Sequence, residues 1–341
     1  MTERGIVVAR AERVRRISVV VPMYNESAHV GRLVADIAAQ DFDGEVEVFV
    51  ADGRSTDDSV ARLKAAAADA GLDLTVVPNP DRWVSHGLNA CIARCTGDLI
   101  VRLDCHSRYP TDYLSASARA AEDTGAWAVG GVPTPIGRTP GERAIACALD
   151  SPFGGAHWTR HAGGGRRVEV DNFYCGGFRP VAFERAGVFD ESFVRNQDDE
   201  LNYRIRAAGG QLVLDPAIRS EYVARGTPGR LFRQYYEYGV WKIPVMQKHR
   251  AVFSGRSLAP IGLAASLAVL ATGSLFSRRA RQGLAVEVAA YSAAAVVFGA
   301  ESVVRRRESL GLLPRVVAAY PAMHLGYGIG MAVGLLRALR S

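Results

Sequence analysis

Three observations predict an α/β fold: a doubly wound, mostly parallel sheet followed by a C-terminal region of apolar helices. Short β-branched runs alternate with stretches of helical periodicity through the first hundred residues. The strands end in polar or acidic residues rather than in long loops. Charge then thins out after Leu258, in a chain of 341 residues that is 48% apolar and 22% charged as a whole. Strands alternating with helices at this spacing are what a parallel sheet with crossover helices requires. The length suggests about two domains.

Ile17 to Val21, stopped by Pro22, reads as a buried strand. Val30, Leu33, Val34, Ile37 and Ala38 then fall on one helical face. Val46 to Ala51 is a second strand, closed by Asp52-Gly53, after which Ser55 or Thr56 caps a helix with Asp57 and Asp58 in its first turn. Leu74 to Val77 is a third strand, and a helix over His86 to Ala93 leads into Leu99-Ile100-Val101-Arg102-Leu103-Asp104-Cys105-His106. In an extended strand residues i and i+2 share a face, so Asp104 and His106 point the same way. Ligands of open α/β sheets bind beyond the carboxyl ends of the strands. Two readings stay open on these eight residues alone: a divalent-cation site, or a turn-capping Asp beside a surface His.

Trp127 to Gly131 is a further strand, and Ser151 to Gly165, rich in Gly, His and Arg, reads as a lid or a disordered excursion. Gly176-Gly177 marks a place where backbone approaches something closely. Asn196-Gln197-Asp198-Asp199-Glu200-Leu201 opens a helix to about Ala208, with Gly209-Gly210 behind it. Three acids in a first turn are good helix chemistry by themselves. Leu212 to Leu214 and Arg219 to Val223 read as two short strands, and Gly229 to Lys248 as a basic, aromatic helix.

No G-x-G-x-x-G follows the first strand and no G-x-x-x-x-G-K-S/T occurs, which excludes a Rossmann dinucleotide site and a P-loop. Tyr24-Asn25-Glu26 and Asp52 instead end two strands, where a carboxylate accepts from ribose or base, or merely forms a turn. The net charge of +6 comes without an aromatic-interleaved basic stripe or a finger spacing, so nucleic acid is not expected. Anionic lipid and a phosphorylated ligand fit it better. Five scattered cysteines with no C-x-x-C fit reduced thiols facing the cytosol. Arg4, Arg10, Arg13, Arg15 and Arg16 lack an apolar segment behind them, so residues 1–15 read as a basic arm rather than a signal peptide.

Leu258 to Phe276, Gly283 to Ala300 and Leu312 to Leu336 are candidate spans, rich in Ala and Gly as close helix packing favours. Lys248, Arg250, Arg256 and Arg305 to Arg307 place both flanks in the cytoplasm. Arg278, Arg279 and Arg281 would then lie outside against the rule, unless one of the first two helices is re-entrant or interfacial. The expected domains are the arm, a catalytic domain over 16–250 and a membrane domain over 251–341 with two to three helices. The expected location is the cell membrane, multi-pass, with the catalytic domain on the cytoplasmic side.

The ordered set Val21-Pro22-Met23-Tyr24-Asn25-Glu26, Asp52-Gly53-Arg54-Ser55-Thr56-Asp57, Gly87-Leu88-Asn89, Asp104-Cys105-His106 with Tyr109-Pro110, Phe189-Asp190-Glu191 and Arg195 to Arg204 resembles family 2 glycosyltransferases of GT-A fold. Within them it is most similar to the ExoA-like group of succinoglycan and exopolysaccharide biosynthesis. The resemblance covers roughly 16–250. It implies that Pro22, Tyr24 and Glu26 line a nucleoside pocket, that Asp52 holds uracil or ribose, and that Asn89 belongs to the nucleotide-sugar site. Asp104 and His106 match the family's D-x-D and would ligate Mg²⁺ or Mn²⁺ on the donor diphosphate; Asp198 matches its catalytic base. Gly176 and Gly177 match a segment near donor sugar and acceptor, and Gln234, Tyr238 and Trp241 an acceptor or gating element.

Two positions depart from the pattern. Gln197 stands where the family's "ED" has Glu, and Glu237 where Q-x-x-R-W has Arg, which speaks for single-sugar addition rather than processive synthesis. The chemistry asks for a neutralised diphosphate leaving group and a carboxylate that deprotonates the acceptor hydroxyl. One base and no second carboxylate as nucleophile means in-line displacement with inversion. Asp199 is the rival base and Glu200 a weaker one; at a helix N-terminus the pKa of Asp198 is expected to be lowered. The expected donor is a UDP-sugar, UDP-glucose by preference, and the acceptor a polyprenyl-linked glycan, with membrane lipid and other polysaccharide-assembly proteins as further partners. The alternative is a non-catalytic nucleotide-sugar-binding membrane scaffold.

Overall fold

A computed structural model describes residues 12–155, 165–251 and 255–340. Most of the expected basic arm, and residues 156–164 of the expected lid, lie outside the described residues. The chain divides into two compact units, Met1–Thr134 with Thr159–Tyr222, and Pro135–Trp158 with Val223–Ser341.

The first unit is built on one mixed sheet of order β3-β2-β1-β4-β8-β6-β9-β5, with β7 against β9. Its first four strands are β1 (Arg16–Met23), β2 (Glu45–Asp52), β3 (Leu74–Pro78) and β4 (Leu99–Arg102). They are parallel, joined by α1 (Val30–Ala38), α2 (Ser59–Asp69) and α3 (Val84–Ile92). The run Val19, Val21, Val48, Val50, Leu99 and Val101 is buried with Leu33, Val34 and Leu63 from the helices. Val20, Ala51, Val77 and Ile100 are buried in a second cluster with Leu88 and Phe178, so β1 and β4 are apolar at successive positions, whereas β2 alternates Glu45 and Glu47 with Val46 and Val48.

The remaining strands are β5 (Ser107–Arg108), β6 (Ala128–Ile136), β7 (Val168–Glu169), β8 (Gly176–Phe178) and β9 (Leu212–Val223). β8 inserts antiparallel between β4 and β6. Three further helices belong to this unit: α4 (Tyr113–Thr124), α6 (Pro180–Ala186) and α7 (Gln197–Ala207), α5 being part of the second unit.

Several expectations are corrected here. α2 starts at Ser59 after Asp58, with no side-chain cap, so neither Ser55 nor Thr56 caps it. The two short strands expected around Pro216 are one strand, β9. The Asp215 carboxylate accepts from the Ala217 N–H at 2.8 Å and lets the strand run past the proline, which has no donor of its own.

The second unit is helical: α5 (Pro140–Asp150), α8 (Pro228–His249), α9 (Ala259–Gly273), α10 (Arg278–Arg305) and α11 (Leu313–Ala338). α5 starts on a capping box in which Thr139 Oγ1 accepts from the Glu142 N–H and Glu142 accepts from the Thr139 N–H at 3.0 Å. Its Ala144 to Leu149 face is buried with Val303, Val316, Tyr320 and Met323. Gly326, Gly330 and Gly334, four apart on α11, meet the backbone of Phe232, Tyr236 and Val240 on α8. Glycine at this spacing is what lets two helix backbones touch.

Two segments, Arg278–Arg305 and Leu310–Ala338, are long and apolar enough to cross a membrane; of an apolar 18-residue stretch within each, 11% is buried in the first and 50% in the second. α9, read from sequence as part of a span, has 15 residues and no buried one. At about 1.5 Å per residue it falls short of a hydrocarbon core of roughly 30 Å.

Candidate active site

The carboxyl ends of the parallel strands carry the loops that matter. Met23 and Asp52 are register partners on β1 and β2, so Tyr24 and Glu26 emerge beside Asp52. The Asp52 carboxylate accepts from the Ser55 N–H at 3.2 Å, an Asx turn, while the Gly53 N–H donates to the Met23 carbonyl at 2.8 Å. A side chain at Gly53 would stand 3.3 Å from that carbonyl, which keeps the two loops in contact. The Arg82 guanidinium lies 5.7 Å from the centre of the Tyr24 ring, a ring that remains 45% exposed. Here is a cradle with an aromatic face, a cation and a strand-end carboxylate.

The loops are stitched by short polar contacts. Asn25 accepts from the Thr56 N–H at 2.8 Å, and Ser55 Oγ accepts from the Asn25 N–H at 2.9 Å. Asp57 accepts from the Ser59 hydroxyl and from the N–H groups of Ser59 and Ser27. Above all the Ser59 hydroxyl, and then those N–H groups, hold its carboxyl down at about 2. Asn25, Arg54, Arg82, Cys175 and Asn196 all have positive φ, between 52° and 66°. Non-glycine residues in that region gather at sites that the surrounding structure holds in place.

Beyond β4 the acidic centre assembles. Asp104 is 5% exposed; the Tyr174 hydroxyl donates to one of its oxygens and Arg102 Nη2 approaches the other at 3.4 Å. The Asp104 N–H donates to Tyr109 Oη at 2.7 Å. Arg102 Nη1 donates to Asp198 Oδ1 at 2.6 Å. One guanidinium, with its side chain 4% exposed, therefore joins Asp104 to Asp198, two residues 94 positions apart in the chain. Asp198 stands in the first turn of α7, whose N-cap Asn196 is left-handed.

Burial on its own would raise the Asp104 pKa, but the Arg102 guanidinium and the Tyr174 hydroxyl outweigh it and hold the carboxyl below the usual range. Asp198 goes the other way. Burial pushes its carboxyl up, Arg102 opposes this, and the nearby Asp104 and Asp199 carboxylates add to the rise. The direction is thus the reverse of the lowering expected from the helix N-terminus, burial and two neighbouring negative charges acting the other way.

The other predicted residues are placed as follows. His106 lies on the rim, half exposed, its Nδ1 3.7 Å from Glu26 Oε1. Pro22 sits in β1, and its carbonyl accepts from the Cys105 thiol at 3.7 Å. Asn89 on α3 binds the 189–191 loop: its amide donates to the Phe189 carbonyl at 2.8 Å and accepts from the Phe189 N–H at 3.0 Å. Gly176 and Gly177 are the first two residues of β8, where a Cβ would lie 2.3 Å from the Val129 carbonyl or 3.1 Å from Leu99. Gln234, Tyr238 and Trp241 are on α8 in the second unit, with Gln234 Nε2 donating to Tyr238 Oη at 2.9 Å. Of the rival bases, Asp199 is bonded to Asn172, and Glu200, fully buried, pairs with Arg204 at 2.7 Å. No sequence motif marks Arg102 or Tyr174; the one signal for the former is a cation inside an otherwise apolar strand.

Comparison with known proteins gives this geometry its context. Residues 18–167 match the family model described as glycosyl transferase family 2. The chain carries a family 2 glycosyltransferase domain. It is 29% identical over 316 residues to the succinoglycan biosynthesis protein ExoA of Rhizobium meliloti, covering 92% of each chain. It is 31% identical over 105 residues to an undecaprenyl-phosphate 4-deoxy-4-formamido-L-arabinose transferase of Sodalis glossinidius, a match that covers 32% of that protein. A mannosyltransferase of Pyrobaculum calidifontis, solved with GDP-mannose and Mn²⁺, superposes with a TM-score of 0.65 at 20% identity, over 98% of this chain and 91% of that one. The family 2 domain thus has the GT-A fold.

Asp104 and His106 of the domain supply one carboxylate and one imidazole. Among the described residues no group of three or more His, Cys, Asp or Glu stands close enough to hold a metal. A hard cation such as Mg²⁺ is commonly held by one or two carboxylates plus substrate phosphates, so a donor set this small would suit an ion held together with a phosphorylated ligand rather than an all-protein cage.

Proposed function

We propose that this protein is an inverting glycosyltransferase that moves a sugar from a nucleotide-diphosphate donor to a lipid-linked glycan in cell-surface or exopolysaccharide synthesis. The observation that carries the reading is the Asp104–Arg102–Asp198 cluster at the carboxyl ends of the parallel strands, beside the Tyr24–Asp52 cradle. Such a layout supplies a nucleoside seat, a diphosphate clamp and a base in one unit. The ExoA and undecaprenyl-phosphate transferase relatives support a polyprenyl-linked acceptor. UDP-glucose is the preferred donor.

Tyr24, with Arg82 over its ring, presents a face for the base, and Asp52 accepts from base or ribose. Asp104 and His106 would hold Mg²⁺ or Mn²⁺, which when bound neutralises the diphosphate leaving group. Asp198 takes the proton of the acceptor hydroxyl as it attacks the anomeric carbon. Its raised pKa makes it a better base than an ordinary aspartate. With one carboxylate as base and none placed as nucleophile, the anomeric centre inverts. Because this cluster is complete, the enzyme is favoured over an idle scaffold; Gln197 is buried in α7, and Glu237 pairs with Arg233 at 3.2 Å on α8.

Membrane attachment follows from the apolar exposed faces of the second unit, where Leu275 is 73% and Phe276 86% exposed. We place α10 and α11 in or across the bilayer and the catalytic domain on the cytoplasmic side, where polyprenyl-linked precursors and nucleotide sugars meet. The test is a donor screen with the detergent-solubilised full chain, scoring nucleoside diphosphate release from a panel of nucleotide sugars with Mn²⁺. Release from one donor above background supports the enzyme; no release from any donor, with nucleotide binding intact, contradicts it.

A further inference from the structure

Arg102 is an expensive residue where it stands. β4 is buried along its whole length between β1 and β8, and a cation there is tolerated only if it is paired. Its two terminal nitrogens go to different carboxylates, Nη1 to Asp198 at 2.6 Å and Nη2 to Asp104 at 3.4 Å. The guanidinium carbon lies 5.3 Å from the centre of the Tyr174 ring, and the hydroxyl of that same tyrosine donates to Asp104. Its Nε is buried with no hydrogen-bond partner, a further cost that packing alone does not offset.

Strand geometry explains the arrangement. Arg102 is the last residue of β4 and Asp104 lies two residues beyond it, so the strand end sets the arginine beside Asp104, and α7 brings Asp198 onto its other nitrogen. The planar fork fixes both directions at once, which a lysine ammonium cannot do. Asp198 is held by Oδ1 alone, so among the described residues Oδ2 is the oxygen without a hydrogen-bond donor.

We propose that Arg102 is the positioning residue of the transfer reaction: it orients Asp198 with one oxygen engaged and the other presented, and fixes the distance from this base to Asp104. The proposal rests on the reading of Asp198 as base. It adds the group that aims the base, and it gives the two ends of the reaction a common reference point.

The experiment compares Arg102→Lys, Arg102→Ala, Asp198→Asn and the double variant Arg102→Lys/Asp198→Asn in the full chain, using the best donor from the screen. Misplacing a reacting group by about 1 Å costs on the order of 10²-fold. Arg102→Lys is therefore expected to lower kcat by roughly 10- to 10²-fold while the donor KM stays within about threefold. Arg102→Ala is expected to lose more, and to regain part of its turnover on addition of millimolar guanidinium. The double variant should be no slower than Asp198→Asn alone, since an aiming residue has nothing left to aim.

Turnover of Arg102→Lys within about threefold of the wild type would overturn the proposal, as would losses in the double variant that multiply. If Arg102→Ala does not fold, the lysine variant and the double variant still decide. The two readings fail separately: an active Asp198→Asn removes the base assignment itself, whereas an inactive Asp198→Asn beside a normal Arg102→Lys removes only the role of Arg102.

Discussion

Gly330→Ala tests how the second unit is packed, and the structure gives its size. A Cβ at Gly330 would lie 2.2 Å from the Tyr236 carbonyl oxygen and 3.0 Å from its carbon. Both are backbone atoms of α8, so no rotamer change relieves the overlap and the helix itself must shift by about 1 Å. Overpacking of this kind costs about 1–3 kcal/mol, and with backbone as the neighbour the upper part of that range applies. The better helix propensity of alanine returns about 1 kcal/mol. A net loss of about 1–2 kcal/mol lowers Tm by roughly 3–8 °C for a domain of this size. Gly31→Ala is the control: a Cβ there meets no atom within 4 Å, so only the propensity gain of about 0.5–1 kcal/mol remains and Tm should hold or rise slightly. Thermal unfolding of the detergent-solubilised chain, followed by intrinsic fluorescence, reads both. A Gly330→Ala protein that melts at or above the wild type would refute the close α8–α11 contact.

Three further expectations concern the first unit. Asp198 must be ionised to accept a proton and its pKa is raised, so kcat should fall on the acid side at a pH above the ordinary aspartate range, near 4; a profile flat down to pH 4 would contradict this. Asp57 titrates at about 2 when folded against 3.8 for the free group. Its contribution to stability is in place above the unfolded value and is lost as pH falls towards 2, so the Tm difference between wild type and Asp57→Asn should be constant at neutral pH and shrink below about pH 4. His106→Ala should raise the Mn²⁺ concentration needed for half-maximal donor turnover about tenfold or more, whereas an unchanged metal titration would make His106 a plain rim residue.

Much of the first unit is legible because β1 and β4 are buried on both faces and α1 on one. β1, β2, β3 and β4 appear as β-branched runs at the expected places, and α1 repeats its apolar residues at helical spacing. α4 gave no such signal: Leu114, Ser115, Ala116, Ser117 and Ala118 are buried consecutively, so small residues surround the helix and no face stands out. Gly176 and Gly177 illustrate a different limit. Their sequence asks for close backbone approach, and the partner proves to be neighbouring strands and Leu99. Likewise the four-residue spacing of Gly326, Gly330 and Gly334 is visible in the chain, but not that α8 lies against it. That Asp198 opens a helix is legible in the chain, but the direction of its pKa is not, because helix position is local and burial beside Asp104 is tertiary.

The central claim, that Asp198 is the base of a glycosyl transfer, is tested most directly by Asp198→Asn. Sugar transfer to lipid extract and nucleoside diphosphate affinity are measured on the same preparation. General base catalysis is worth about 10²–10⁴-fold. The account predicts a loss of that size in transfer with affinity within about threefold of the wild type, and transfer within about threefold of the wild type would contradict it.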